Sequence, residues 1–194
     1  MKPTIGILIG GESRRMGRHK ALIRVDGTTL LERTAAVAAT VSDRIVLLGR
    51  PPFQLPPLTR SLRDLNDLHP GIGPMAGLEA LLSARPDDAC MLLACDLPYL
   101  TTEPLQRLCD AIDAPDLDAA ACVTGGETRR WHPCCAIYRS AIFGALQAAI
   151  DAGQYGMTRL LSGLKVGAVH LRDREERWVE NWNAPTDVSY GDTT

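Results

Sequence analysis

Short apolar runs alternate along this chain with stretches whose apolar residues recur every three to four positions. The first pattern marks buried strands and the second amphipathic helices, and their alternation is the signature of an α/β layer fold. Residues 5–9 form a buried-type strand that ends in Gly10-Gly11. Residues 22–25 are short and extended, and Asp26-Gly27 makes a turn. Thr29 and Glu32 then set up a capping box for a helix running to about Val41, with Leu30, Thr34, Val37 and Val41 at helical spacing. Residues 44–48 form the next strand, followed by a connector rich in proline (Pro51, Pro52, Pro56, Pro57).

A further short strand ends over residues 62–64, and a helix over 74–84 begins on a proline suited to a first turn. Residues 89–95 read as a fully buried central strand, and 103–112 as a helix. Two strands, 119–123 and 131–138, flank the Gly125-Gly126 turn. Helices over 140–152 and 157–161 and a strand over 166–171 complete the pattern, and residues 188–194 read as a frayed tail. No repeat, low-complexity block or linker divides the chain, so residues 1–187 are expected to form one domain.

Composition narrows the function classes. A length of 194 residues supports one substantial core. The formal net charge of -2 leaves no global basic field for nucleic acid, so any phosphate-binding charge must be local. The apolar runs are too short to span a bilayer, and the first strand lacks the features of a signal peptide; a cytoplasmic, soluble domain is expected. Six cysteines contain no C-x-x-C pair, and Cys90, Cys95 and Cys122 lie in apolar segments where free cysteine acts as a small hydrophobe. His132 beside Cys134 and Cys135 amounts to half a zinc site at most.

The densest chemical signal is the run from Leu8 to Lys20, in which a buried strand delivers a glycine-rich loop carrying Arg14, Arg15, Arg18 and Lys20. Glycines let backbone N–H groups approach phosphate oxygens, arginine grips phosphate with paired hydrogen bonds, and lysine supplies a compact charge. The run is neither G-x-G-x-x-G nor a P-loop, so a dehydrogenase and a Walker-type NTPase are poorly supported. Asp96 stands where the central strand ends, the place where open α/β sheets gather ligands, and suits Mg²⁺, which prefers oxygen ligands. Asp64 ends a shorter strand and is placed to reach metal or ribose. An acceptor phosphate is already ionised near neutral pH and needs no general base, and no G-x-S-x-G elbow is present. Of the histidines, His69 and His132 are placed to touch substrate and His170 reads as structural.

Taken together, Leu8-Ile9-Gly10-Gly11-x-Ser13-x-Arg15-Met16-Gly17-x-x-Lys20 resembles the signature loop of the molybdenum cofactor guanylyltransferase (MobA) family. Asp64 with the loop from Gly71 to Leu78, Cys95-Asp96-Leu97-Pro98, His132-Pro133 with Tyr138, and Asn181-x-Asn183-x-Pro185-x-Asp187 resemble its later motifs, in order along nearly the whole chain. The resemblance implies a three-layer, Rossmann-like α/β fold with a mostly parallel mixed sheet. It also implies transfer of GMP from Mg-GTP to the terminal phosphate of molybdopterin, with molybdenum insertion proteins or apo-molybdoenzymes as partners. Carried over by position, Leu8, Ile9, Gly10, Gly11 and Ser13 line the nucleotide site, and Lys20 and Arg15 stabilise phosphates. Asp64 contacts the nucleotide, Asp96 ligates Mg²⁺, and His132, Asn181 and Asn183 face the acceptor.

Several positions depart from the family pattern. Ile9 replaces a small alanine, Leu48-Gly49 stands where an asparagine often contacts the base, and Ala184 and Thr186 alter the last motif. A molybdopterin cytidylyltransferase, whose loop tends to read L-A-A-G, is the nearest alternative, and Gly10 favours guanine over it. A non-catalytic nucleotide-binding adaptor is the alternative from another class; Lys20 and Asp96 together argue against it.

Overall fold

The computed structural model describes residues 2–9, 19–50, 53–84, 87–126 and 128–182. The buried runs become the strands β1 (Thr4–Leu8), β4 (Ile45–Leu48), β5 (Arg63–Leu65), β6 (Ala89–Ala94), β7 (Ala119–Thr124), β8 (Arg130–Arg139) and β9 (Val166–His170), joined in one sheet. A two-stranded ribbon, β2 (Arg24–Val25) with β3 (Thr28–Thr29), stands apart from it. The periodic segments become α1 (Leu30–Ala39), α2 (Pro74–Ser83), α3 (Thr102–Ile112), α4 (Phe143–Asp151) and α5 (Met157–Ser162).

The sheet order is β5-β4-β1-β6-β8-β7-β9. Pairings are parallel except where β8 meets β6 and β7, so β8 alone among these seven runs against the rest. Side chains alternate between the faces of a strand. Ile5, Ile7, Met91 and Leu93 accordingly pack with Leu31, Leu105 and Leu108 of α1 and α3, while Cys90, Leu92 and Tyr138 pack with Leu78, Leu81, Leu146 and Leu160 of α2, α4 and α5. Helices thus cover both faces, giving three layers. Strand order turns outward in both directions from β1 and β6, which places a switch-point crevice at their carboxyl ends.

Local chemistry sets the boundaries. Thr29 Oγ1 accepts from Glu32 N at 3.2 Å and Glu32 Oε2 accepts from Thr29 N at 3.1 Å, completing the capping box. Such a cap contributes about 1 kcal/mol. The helix stops at Ala39 rather than Val41, because Thr40 turns its hydroxyl back onto Val37 O at 2.6 Å. The segment read as extended over 22–25 divides: Lys20–Leu22 form a 3-10 turn, and Asp26 (φ 50) and Gly27 (φ 78) close the tight hairpin that follows. Residues 140–152 begin with a 3-10 turn, Ser140–Ile142. His170 is exposed at the end of an edge strand, not held in the core.

One element escaped the periodicity. Residues Asp173–Val179 form a 3-10 segment that, with the chain to Trp182, lies as a strap against α3 and the end of β6. Its charges hid two core residues, Val179 at 1 % exposure and Trp182 at 2 %. No helix among the described residues is long and apolar enough to cross a membrane.

Candidate active site

Beyond Leu8 the backbone of β1 continues to Ile9, whose N–H donates to Leu48 O at 3.1 Å. The Ile9 side chain is buried in the core on the α1 and α3 face, so its extra bulk relative to alanine is absorbed there. Leu8 is half-buried and sits in register with Ala94, two residues before Asp96. On the other side α2 comes close to β1 at Gly77, where a Cβ would collide with the Leu8 side chain. Gly73, with φ 71 and ψ -148, makes the turn that starts α2 on Pro74, a backbone conformation open to glycine.

Lys20 opens its 3-10 turn, and Ala21 beside it is buried. The turn aims the Lys20 ammonium at the end of β6, where Nζ lies 2.8 Å from Asp96 Oδ2. The two side chains are 22 % and 13 % exposed, so the pair is partly shielded yet open to a ligand. The second oxygen, Asp96 Oδ1, accepts from Asn181 Nδ2 at 3.0 Å. Burial, and then the negative charge of Asp96, push the Cys95 and Cys134 thiols up to about 12, so both stay protonated near neutral pH.

Beside this pair lies a cavity of about 180 Å³ whose walls include Leu97, Trp131, His132, Cys134 and Asn181. Arg130 stands at the same wall and is exposed. His132 Nε2 and Thr124 Oγ1 are 2.9 Å apart. Burial, aided by the charge of Arg130, lowers His132 to about 4, so the ring is neutral near pH 7. His69 instead faces Glu79: its Nδ1 lies 2.9 Å from Oε2 of that buried carboxylate.

The structure therefore brings Lys20, Asp96 and Asn181 into one hydrogen-bonded set, with His132 on the wall that Asn181 shares. Asp64 is exposed on β5, three strand steps from β6 or roughly 14 Å at ordinary strand spacing. A nucleotide laid across the strand ends covers such a span. Gly10, Gly11, Ser13, Arg15 and Asn183 lie outside the described residues, as do residues 188–194. A single carboxylate suits Mg²⁺, which is bound through one or two carboxylates plus substrate phosphates, and Asp96 meets Lys20 through Oδ2 and Asn181 through Oδ1. Among the described residues no group of three or more His, Cys, Asp or Glu forms a metal cage.

Comparison with known proteins decides the family. The model of the MobA-like NTP transferase domain matches residues 5–170. The chain belongs to this family. A probable molybdenum cofactor guanylyltransferase of Synechococcus elongatus is 36% identical over 185 residues, covering 93% of both chains. A protein of the same description from a Nostoc species is 30% identical over 96% of this chain and 88% of its own. Among solved structures, molybdopterin-guanine dinucleotide biosynthesis protein A from Archaeoglobus fulgidus superposes with a TM-score of 0.77 at 25% identity, covering 94% of this chain and 93% of that one. A 2-C-methyl-D-erythritol 4-phosphate cytidylyltransferase from Thermus thermophilus shares the fold at 20% identity, with a TM-score of 0.71 over 96% and 95% of the two chains. The MobA-like chain is thus a nucleotidyltransferase by family, on a Rossmann-like fold.

Two features of the MobA-like chain were not legible in sequence. The bond from Asn181 to Asp96 crosses 85 positions, and its signal lay in the apolar residues of an otherwise charged run, Trp178, Val179 and Trp182. The Glu79 carboxylate, buried and bonded to His69 and Gln147, gave no signal in a helix read from the proline at its start.

Proposed function

We propose that this chain is a cytoplasmic molybdenum cofactor guanylyltransferase, with residues 1–187 as one catalytic domain. It transfers GMP from GTP to the terminal phosphate of molybdopterin, giving molybdopterin guanine dinucleotide and pyrophosphate for molybdenum insertion proteins or apo-molybdoenzymes. The observation that carries the reading is the Lys20–Asp96 pair at the switch point of the sheet, next to the cavity lined by His132 and Asn181.

The chemistry needs positioning and charge stabilisation more than proton transfer. An acceptor phosphate oxygen forms a bond to the α-phosphorus as the bond to the β-phosphate oxygen breaks, and that electron pair leaves on pyrophosphate. Lys20 stabilises the phosphate oxygens on which charge grows, with Arg15 in the same role from the loop. Asp96 would hold Mg²⁺, which when bound supplies charge neutralisation at the phosphates. Leu8, Ile9, Gly10, Gly11 and Ser13 hold the nucleotide and Asp64 meets it at the far side. The cavity holding His132 and Asn181, with Asn183 beyond them, takes the acceptor; its neutral His132 offers shape and hydrogen bonding, not a base.

The test is pyrophosphate release with Mg²⁺ and molybdopterin for GTP, CTP, ATP and UTP in turn. Release with GTP, abolished in Asp96→Ala, is expected. Release led by CTP makes the chain a cytidylyltransferase. An Asp96→Ala variant that keeps full function makes it a delivery adaptor.

A further inference from the structure

Asp96 is held from two directions by the strap that follows β9. Trp182 N donates to the Asp96 carbonyl at 3.1 Å, and Asn181 Nδ2 donates to its Oδ1 at 3.0 Å. The strap itself is anchored along its length. Arg107 of α3 grips Glu175 with two hydrogen bonds, at 3.1 and 2.7 Å, and Glu176 Oε1 accepts from Gly125 N at 3.0 Å. The Arg177 guanidinium lies 3.6 Å over the Tyr99 ring, which meets Trp182 edge-on at 6.1 Å. Val179 and Trp182 are buried. A side chain reaching from so fixed a backbone is pre-oriented.

The bond also divides the carboxylate. Asn181 occupies Oδ1, and Oδ2 is the oxygen turned toward Lys20, the proposed partner of the phosphates. A carboxylate free to rotate about its last bond would lose that assignment; one fixed by an amide donor keeps it. Carboxylates that ligate metals are commonly held by such hydrogen bonds, which set orientation and affinity. Asparagine suits the task because its amide donates without adding a charge that would compete for the cation.

We infer that Asn181 is a positioning residue for the divalent cation: it fixes the Asp96 carboxylate so that Oδ2 faces the metal and the triphosphate. Resting on the proposed function, this gives Asn181 a role at the metal in addition to its place on the acceptor wall. Mn²⁺ binding to the full chain without nucleotide, followed by the electron paramagnetic resonance of free Mn²⁺, is the test. Asn181→Ala and Asn181→Leu are measured beside the unaltered chain and Asp96→Ala. Both Asn181 variants are expected to bind Mn²⁺ about tenfold or more weakly, while metal-free GTP binding changes by less than about twofold. Asn181→Leu keeps the branched side-chain shape at a larger volume and Asn181→Ala shrinks it, so a loss shared by both variants reports the missing donor, not a packing defect. Wild-type Mn²⁺ affinity in Asn181→Leu, with affinity lost in Asp96→Ala, overturns the inference and leaves the proposed function standing. Wild-type affinity in Asp96→Ala overturns both, since Asp96 is then no metal ligand.

Discussion

Lys20 Nζ lies 2.8 Å from Asp96 Oδ2 although 76 positions separate the two residues in sequence. β1 and β6 are adjacent and parallel, with Leu8 in register with Ala94, so the segments that follow both strands emerge at one edge of the sheet. The 3-10 turn at Lys20–Leu22 then returns the lysine to that edge.

If this pair serves one transition state, its losses are large and not additive. Lys20→Ala is expected to lower kcat by about 10²- to 10³-fold, the usual result of removing one preorganised charge-stabilising donor. Asp96→Ala is expected to lower it at least as far, and the double variant by less than the product of the two. Pyrophosphate release under saturating GTP measures all three, with thermal unfolding as the control for folding. Additive losses would mean that the two residues act on separate steps.

Glu79 joins three elements. Its carboxylate, 1 % exposed in α2, takes hydrogen bonds from His69 on the 66–73 loop and from Gln147 Nε2 of α4, the latter at 2.5 Å. Glu79→Ala leaves the half-buried Gln147 amide without this acceptor and releases the loop between Asp64 and α2. The expected loss is about 2 kcal/mol. Denaturant unfolding checks it, and faster proteolysis within residues 66–73 is expected alongside.

The pH dependence of stability follows from His132. Burial holds its folded value at about 4, below the ordinary 6.5, so the unfolded chain binds the proton more readily. The contribution is therefore complete above about 6.5 and is lost as pH falls from there toward 4. Thermal midpoints taken from neutral pH downward are expected to drop across that window. In His132→Gln that part of the drop is absent, and an unchanged slope would show that the histidine titrates freely.

How much of this could be read from sequence depends on the range of the forces involved. The capping box at Thr29 and Glu32, the proline at the start of α2 and the buried run of β6 are set by near neighbours, and the structure reproduces them. Asp96 at a strand end was legible because ligand crevices follow from sheet topology. Its partners were not. Whether Lys20 or Asn181 meets that carboxylate depends on how a turn and a strap return to the sheet, and neither carries a periodic pattern. The strap was missed for a related reason: single apolar residues between charges are too sparse to show a helical face.

Gly77 offers a test that joins packing to the nucleotide site. Among the buried residues of α2 it faces the end of β1, where a Cβ would meet the Leu8 side chain and lie 3.3 Å from Leu48 Cβ. Leu8 is half-buried and can swing away, whereas Leu48 is fixed in the core at 1 % exposure. A branched side chain must therefore push Leu8 outward and also move α2 away from β4. Overpacking of this kind costs about 1–3 kcal/mol. Gly77→Val is thus expected to lower the unfolding midpoint and, because Leu8 belongs to the proposed nucleotide site, to raise the KM for GTP more than it lowers kcat. Gly77→Ala places one atom there, and its intrinsic gain in helix propensity of about 1 kcal/mol offsets the clash. A graded response, with Ala near wild type and Val impaired in KM, ties close packing of α2 on β1 to nucleotide binding. Impaired stability with an unchanged KM would show that Leu8 lies outside the nucleotide's reach.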